Sequence, residues 1–360
     1  MLIFTALVKL RKSCYIYCMK DIWNYLKETD KPIVLYGMGN GADKIVSVCE
    51  NNRIKISGVF SSDSFVRPKT FHGMPVTSYK TAKEIFGDMI VLLSFGTHLP
   101  DVIENIKKIA ADSRLYAPDV PVYGDTLFDF RYYQSRKNEF NGIYNILSDE
   151  QSRKVFENTV KYKLTGDISY LLDCETDEDE AYSTFFRLTE NETFLDLGAY
   201  RGDTVLAFAN RAKVWNGIIA VEPDVKTYKK LLTATENICN IRCINAAAAD
   251  ICGEKTISVN GSRGKGACGK AVQIKTLSVD SLGVSPTYIK MDIEGDEAKA
   301  ISGAEDTIIK CKPKMKIAAY HRSGDLIDIP KQVLNLRRDY RIYLRHNPCL
   351  PAWDTDYFFI

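Results

Sequence analysis

Short apolar runs recur along the chain, and most are followed by an amphipathic stretch long enough for a helix. A helical pattern near residues 20–28 precedes the first run, Pro32-Ile-Val-Leu-Tyr36. That run passes into Gly37-Met-Gly-Asn-Gly-Ala42 and then into a stretch with apolar Ile45, Val46 and Val48. Residues 55–60 and 89–93 read as further buried strands, with a helical stretch between them near residue 81. Strands alternating with helices predict a parallel sheet with helical crossovers. This unit, a smaller Rossmann-like α/β domain, is expected over residues 19–125, closing after Val120-Pro-Val-Tyr-Gly124.

Residues 126–190 change character. They are rich in aromatic and charged side chains at helical spacing, with no strand run, and read as a helical connector. Ser148-Asp-Glu-Gln151 is a helix-start pattern. The acidic run Glu175-Thr-Asp-Glu-Asp-Glu180 reads as a solvated loop. From residue 191 the alternation resumes. Strands are expected at 193–197, 217–221, 241–245, 287–291 and 314–319, and a closing pair at 340–345 and 356–360.

Composition narrows the function classes. The 360 residues suit two domains and a connector, and 45% hydrophobic with 26% charged residues suits a globular protein. A net charge of +2 excludes the strong positive field of a nucleic-acid or membrane-surface binder. The ten cysteines are scattered. Cys14/Cys18 and Cys239/Cys243 lack the second ligand pair of a zinc site, so reduced thiols are expected. No segment reaches the ~20 apolar residues of a membrane span, which points to the cytoplasm. Residues 1–18 read as an extension ahead of a more ordinary start at Met19.

The candidate chemistry begins at Phe194-Leu-Asp-Leu-Gly-Ala-Tyr-Arg-Gly-Asp-Thr204, a strand entering a glycine loop. Such a loop lets backbone approach a nucleotide and offers helix N-terminal amides. Asp196 and Asp203 would repel a pyrophosphate, whereas they suit a ligand that is cationic and free of phosphate. Strand 217–221 ends in Glu222-Pro-Asp224. Glu222 stands twenty residues after Gly202, the spacing at which an acid reaches ribose hydroxyls. A third group, Asp292, Glu294, Asp296 and Glu297, follows strand 287–291 at the sheet edge where ligands bind. Dipole compensation at a helix start accounts for Asp296 and Glu297, and less well for Asp292 and Glu294.

Taken in order, Asp196-Leu-Gly-Ala-Tyr-Arg-Gly-Asp-Thr204, Val221-Glu-Pro-Asp224, Ile289-Lys-Met-Asp-Ile-Glu-Gly295 and Ala319-Tyr-His-Arg322 resemble the FkbM family of methyltransferases. The resemblance covers roughly residues 150–360. It implies a class I fold, a seven-stranded doubly wound sheet with its last strand antiparallel. It also implies S-adenosylmethionine as cofactor and methyl transfer to a hydroxyl of a sugar, glycan or related small molecule. By position, Asp196, Gly198, Ala199, Gly202 and Asp203 would surround the methionine part of the cofactor. Glu222 would hold the ribose, Asp250 or a neighbouring amide would address the adenine, and Asp292 would face both cofactor and acceptor.

A neutral hydroxyl needs a base. His321, beside Asp292 and Glu294, is the expected catalytic group, because imidazole exchanges protons near neutral pH. A divalent metal held by Asp292, Glu294 and His321 is the less favoured alternative, and no metal ligand is assigned. His346 is a candidate substrate contact; His72 and His98 are expected to be unrelated to the site. Gly264-Lys-Gly-Ala-Cys-Gly-Lys-Ala271 nearly spells a phosphate loop, but Ala271 replaces the magnesium-binding hydroxyl and no strand run precedes it closely. It reads as a mobile loop that leaves Lys265 or Lys270 exposed. The Gly37–Gly41 loop lacks acids and could accept a nucleotide or nucleotide-sugar. The rival reading of the whole chain is therefore a nicotinamide-dependent oxidoreductase that uses this first loop.

Overall fold

The computed structural model describes residues 20–62, 69–259 and 270–360. The expected extension 1–18, and residues 264–269 of the glycine–lysine loop with Lys265, lie outside the described residues. Uninterrupted apolar runs become central strands because they are buried on both faces. The first sheet comprises β1 (Ile33–Tyr36), β2 (Gly58–Phe60), β3 (Thr70–Phe71), β4 (Met74–Thr77), β5 (Ile90–Leu93) and β6 (Arg114–Tyr116), of which β1, β2 and β5 are such runs. Their order is β3-β4-β2-β1-β5-β6, parallel except where β3 meets β4. β3, β4 and β6 had no clear apolar run and were not anticipated.

The larger sheet and its side sheet follow. β7 (Thr193–Leu197), β8 (Gly217–Val221) and β9 (Ile241–Ile244) lead to the small β10 (Ala247–Ala248), β11 (Gly253–Val259) and β12 (Lys270–Leu277). β13 (Tyr288–Met291), β14 (Lys314–Ala318), β15 (Ile342–His346) and β16 (Thr355–Phe359) complete the set. The large sheet runs β15-β16-β14-β13-β7-β8-β9, and β16 alone opposes its neighbours. This is the expected seven-stranded, doubly wound sheet with its last strand antiparallel. β10, β12 and β11 form a separate three-stranded sheet. Strand β11 ends at Val259, ahead of the glycine–lysine segment, and the segment's last two residues, Lys270 and Ala271, open β12, contrary to the expectation of a loop with no nearby strand; β11 is polar enough to have read as loop.

Helices fill residues 130–186 as the spacing predicted. The main one, Glu150–Thr165, starts at Asp149, whose side chain accepts from the Ser152 amide at 2.7 Å; the cap is thus Asp149, not Ser148. Arg345 on β15 ties this helix to the large sheet through a 2.6 Å ion pair with Asp149. The acidic run is not a free loop. Asp177 caps a helical turn, and Glu178 pairs with Lys316 at 2.5 Å and with Arg211 at 3.0 Å.

The two sheets share their packing. The apolar core around Tyr36, Phe60 and Val91 of the first sheet also contains Tyr162, Leu171, Leu350 and Ala352. Thr97 and Leu350 exchange two backbone hydrogen bonds of 2.7 and 3.0 Å. Gly96 lies so close to Trp353 that a Cβ there would fall 2.1 Å from the indole ring. The first sheet is therefore docked on the β15–β16 turn of the second.

Candidate active site

A cavity of about 1590 Å³ opens at the carboxyl ends of β7, β8 and β13 and extends to the β15–β16 turn. Ligand pockets commonly hold ~300–1,000 Å³, so this one has room for a nucleoside and a second small molecule. Among the described residues lining it, eleven are Asp or Glu and five are Lys or Arg. The excess of carboxylates favours a cationic ligand over a phosphate-bearing one.

The glycine loop forms one wall. Gly198 has φ +82°, and a Cβ there would fall 1.9 Å from the Asp292 carbonyl oxygen, so only glycine lets the β7 and β13 loops meet. The Gly198 and Ala199 amides both donate to the Val221 carbonyl at 3.0 Å, which fastens this loop to the end of β8. Tyr200 holds φ +47°, a costly conformation for a tyrosine, and stands half exposed on the cavity wall. Asp203 opens the helix Asp203–Ala212 and also lines the cavity.

Glu222 is the best-anchored acid at this wall. Its carboxylate accepts from the Tyr200 amide at 3.0 Å and the Asp224 amide at 2.8 Å. Burial pushes its carboxyl up, and those two amides pull it back. Asn245 donates to the Glu222 and Pro223 carbonyls and fixes the turn.

Four expected cofactor residues sit elsewhere. Asp196 is fully buried and does not line the cavity; its in-register neighbour on β13, Lys290, approaches it at 3.3 Å. Its charge is met by Lys290 and is not available to a ligand. Lys290 also donates to the Gly198 carbonyl at 2.8 Å, so the pair supports the loop from behind. Asp250 is exposed and off the wall, where Ala246, Ala247 and Ala248 stand instead. Gly202 and Ala199 are buried off the cavity, and Gly202 packs toward Leu231 and Thr235.

The Asp292 region is denser than its sequence suggested. Asp292 and Glu294 line the cavity, and the Tyr320 hydroxyl donates to Asp292 at 3.2 Å. Glu294 adopts φ +59°. His321 is buried behind them. Its Nδ1 lies 3.0 Å from Glu297, and its Nε2 lies 3.4 Å from Asp292 and 3.7 Å from Glu294. Burial alone would lower its pKa, but the surrounding carboxylates, Glu297 foremost, outweigh burial and raise it to about 9. At that pKa His321 carries a proton at neutral pH, which argues against its expected role as base. Glu297 is the residue sequence reading missed. Beyond satisfying a helix dipole, it is buried and accepts from the Ile293 and Gly295 amides at 2.9 and 3.4 Å. Asp292, Glu297 and His321 bring one ligating atom each within 4.8 Å of one another.

The remaining histidines also depart from expectation. His346 is wholly buried against Thr355 at 3.0 Å, off the cavity wall, and burial lowers its pKa to about 4. His98, from the first sheet, lines the cavity, as does Tyr123. In the upstream glycine loop, a Cβ on Gly37 would fall 2.6 Å from Phe95, and one on Gly41 2.4 Å from the Ser94 carbonyl. Those glycines accommodate close packing on the segment that leads to His98.

Residues 196–342 match the Methyltransferase FkbM domain. That part of the chain is similar to an FkbM methyltransferase domain. The crystal structure of the methyltransferase FkbM from Methylobacillus flagellatus is similar over 98% of each chain, with a TM-score of 0.74 at 22% identity. The similarity in fold thus extends beyond the FkbM domain to the first sheet and connector. Fibrillarin of Aeropyrum pernix, in complex with natively bound S-adenosyl-L-methionine, overlaps 48% of this chain and 67% of its own, at 13% identity and a TM-score of 0.33. No curated protein matches the chain. Among the described residues, no helix is long and apolar enough to cross a membrane.

Proposed function

We propose that this chain is an S-adenosylmethionine-dependent O-methyltransferase acting on a hydroxyl of a sugar, glycan or related small molecule. The observation that carries the reading is Glu222, a carboxylate fixed by two backbone amides beside the glycine loop, in a wall rich in acids. Its remaining lone pairs suit two ribose hydroxyls, and the alanine run 246–248 offers a flat apolar face to a base. The cofactor, when bound, supplies an electrophilic methyl group on a cationic sulfur.

The chain's own residues then align and shield. Gly198 and Tyr200 present the backbone of the loop, Asp203 adds negative charge near its helix start, and Lys290 braces the loop from beneath. Asp292, steadied by Tyr320 and by the His321 imidazolium, faces the space next to the loop and accepts a hydrogen bond from the acceptor. Alignment and exclusion of water are the main contributions such a site makes when the leaving group is already activated.

Calorimetric titration of the purified protein with S-adenosylmethionine, S-adenosylhomocysteine and NAD(H) tests the cofactor. Micromolar binding of the first two with no response to NAD(H) is expected. Binding of NAD(H) alone would overturn the reading in favour of an oxidoreductase.

A further inference from the structure

The order of strands divides the cavity. The groups suited to a nucleoside, Gly198, Glu222 and Ala246–Ala248, follow β7, β8 and β9 on one side of Asp292. On the other side the large sheet continues through β14 to β16 and β15, and it is over this half that the first sheet is docked. Thr97 is hydrogen bonded in both directions to Leu350, Gly96 lies against Trp353, and the intervening turn of the large sheet contributes Asn347 and Asp354 to the cavity. Tyr123 enters at a second point. Its amide donates to the His321 carbonyl at 2.9 Å, and the Arg322 guanidinium lies over its ring at 4.3 Å. Gly295 leaves room for it, since a Cβ there would fall 2.7 Å from the Tyr123 Cβ. Lys44 holds the approach to Tyr123 through the Pro121 and Val122 carbonyls at 2.7 and 2.6 Å.

Two loops from the first sheet thus close the half of the cavity that the nucleoside does not need. His98 is exposed, lies one residue beyond the Thr97 clasp, and is the one histidine among the described residues on the cavity wall. Asp354, on the same wall, is in electrostatic reach of both His98 and Asp292. His321, with each ring nitrogen facing a carboxylate, is sequestered from that space.

We propose that the first sheet is the acceptor-recognition half of this methyltransferase, with Tyr123 forming the acceptor's floor and His98 taking the proton of the hydroxyl that is methylated. The inference rests on the methyl-transfer reading above. As the acceptor oxygen bonds the methyl carbon, the carbon–sulfur bond breaks and leaves its electron pair on sulfur. The hydroxyl proton passes to the His98 imidazole and from there to solvent, to which the exposed ring has access. Neither His98 nor Tyr123 belongs to the set suited to the nucleoside, so the proposal makes both dispensable for cofactor binding.

The test uses the full chain, methyl-labelled S-adenosylmethionine, and a small-molecule and glycan extract of the source cells as acceptor pool. His98→Asn and His98→Gly are expected to bind S-adenosylmethionine within twofold of the wild type by calorimetry. General-base removal costs roughly 10²-fold or more in turnover, so label transfer should fall by about that factor, and free imidazole should restore part of it to His98→Gly. Tyr123→Ala should raise the amount of extract giving half-maximal transfer. Histidine ring NMR adds a readout independent of turnover: the signals lost in His98→Asn should move when extract is added to protein loaded with S-adenosylhomocysteine. Unchanged transfer by His98→Asn, or His98 signals that stay still while the wild type transfers label, would overturn the proposal. Absence of any transfer by a wild type that binds S-adenosylmethionine would instead overturn the O-methyl-transfer reading beneath it.

Discussion

Lys290 and Asp196 stand side by side on neighbouring strands, 3.3 Å apart and both buried, directly behind the glycine loop. Two opposite charges in that setting depend on each other, because either one alone would be stranded away from water. Replacing one member of a buried pair typically costs ~3–5 kcal/mol, whereas replacing both with neutral groups costs much less. Urea unfolding should therefore show Asp196→Asn and Lys290→Met each strongly destabilised, and the double variant closer to the wild type. Strictly additive losses would mean that the two charges are not coupled.

The His321 imidazolium makes stability depend on alkaline pH. Its folded-state pKa of about 9 exceeds the ~6.5 of an unfolded histidine, so folding tightens its proton. The stabilisation is fully present below about pH 6.5 and is lost as pH rises through about 9. Between those limits the wild type should lose a few kcal/mol (on the order of 3) more than His321→Gln does. Denaturant midpoints at pH 6 and 9.5 for both proteins measure this difference, and equal losses would refute the assignment.

Gly198→Ala should damage the site more than its one methyl group suggests. The added carbon would overlap the Asp292 carbonyl, and the positive φ disfavours alanine. Separation of the two loops is expected to lower S-adenosylmethionine affinity at least tenfold, ~1.4 kcal/mol or more, by calorimetry. Gly73, with nothing within 4 Å of its Cβ position and also at positive φ, provides the control for backbone strain alone.

Glu222→Gln keeps the shape and removes the charge. The glutamine amide nitrogen cannot accept from Tyr200 or Asp224, so one of those backbone amides loses its partner. A loss of about 1–3 kcal/mol is the usual consequence of one orphaned buried group. Affinity for S-adenosylmethionine should fall roughly tenfold or more, with the circular dichroism spectrum unchanged.

The contrast between Glu222 and Asp196 shows what could be read in advance. β7 and β8 were legible to the residue, because strands buried on both faces are written as continuous apolar runs. The loops following them were legible because glycine has few other reasons to cluster there. Asp196 was misread because the residue that cancels its charge, Lys290, becomes its neighbour only through strand register. Glu297 was hidden by a sufficient local explanation, the acid-rich start of a helix. His98 carries no local sign of its place, since the contact that aims it, Thr97 with Leu350, joins two separate sheets. β3, β4 and β6 are two to four residues long and flanked by polar positions, and β11 is largely polar, so their pairing is decided by the sheet they extend.

The apolar core of the first sheet includes Leu350 and Ala352, from the last turn of the chain. That limits how the protein can be cut. A fragment starting just ahead of β7 would retain every strand of the seven-stranded sheet, yet it would bring those two buried residues to water and strip one wall from the cavity. Trimming from the front therefore exposes apolar surface on the part that is kept. Exchange of the first sheet between related chains must carry the 347–354 turn with it as its matching half.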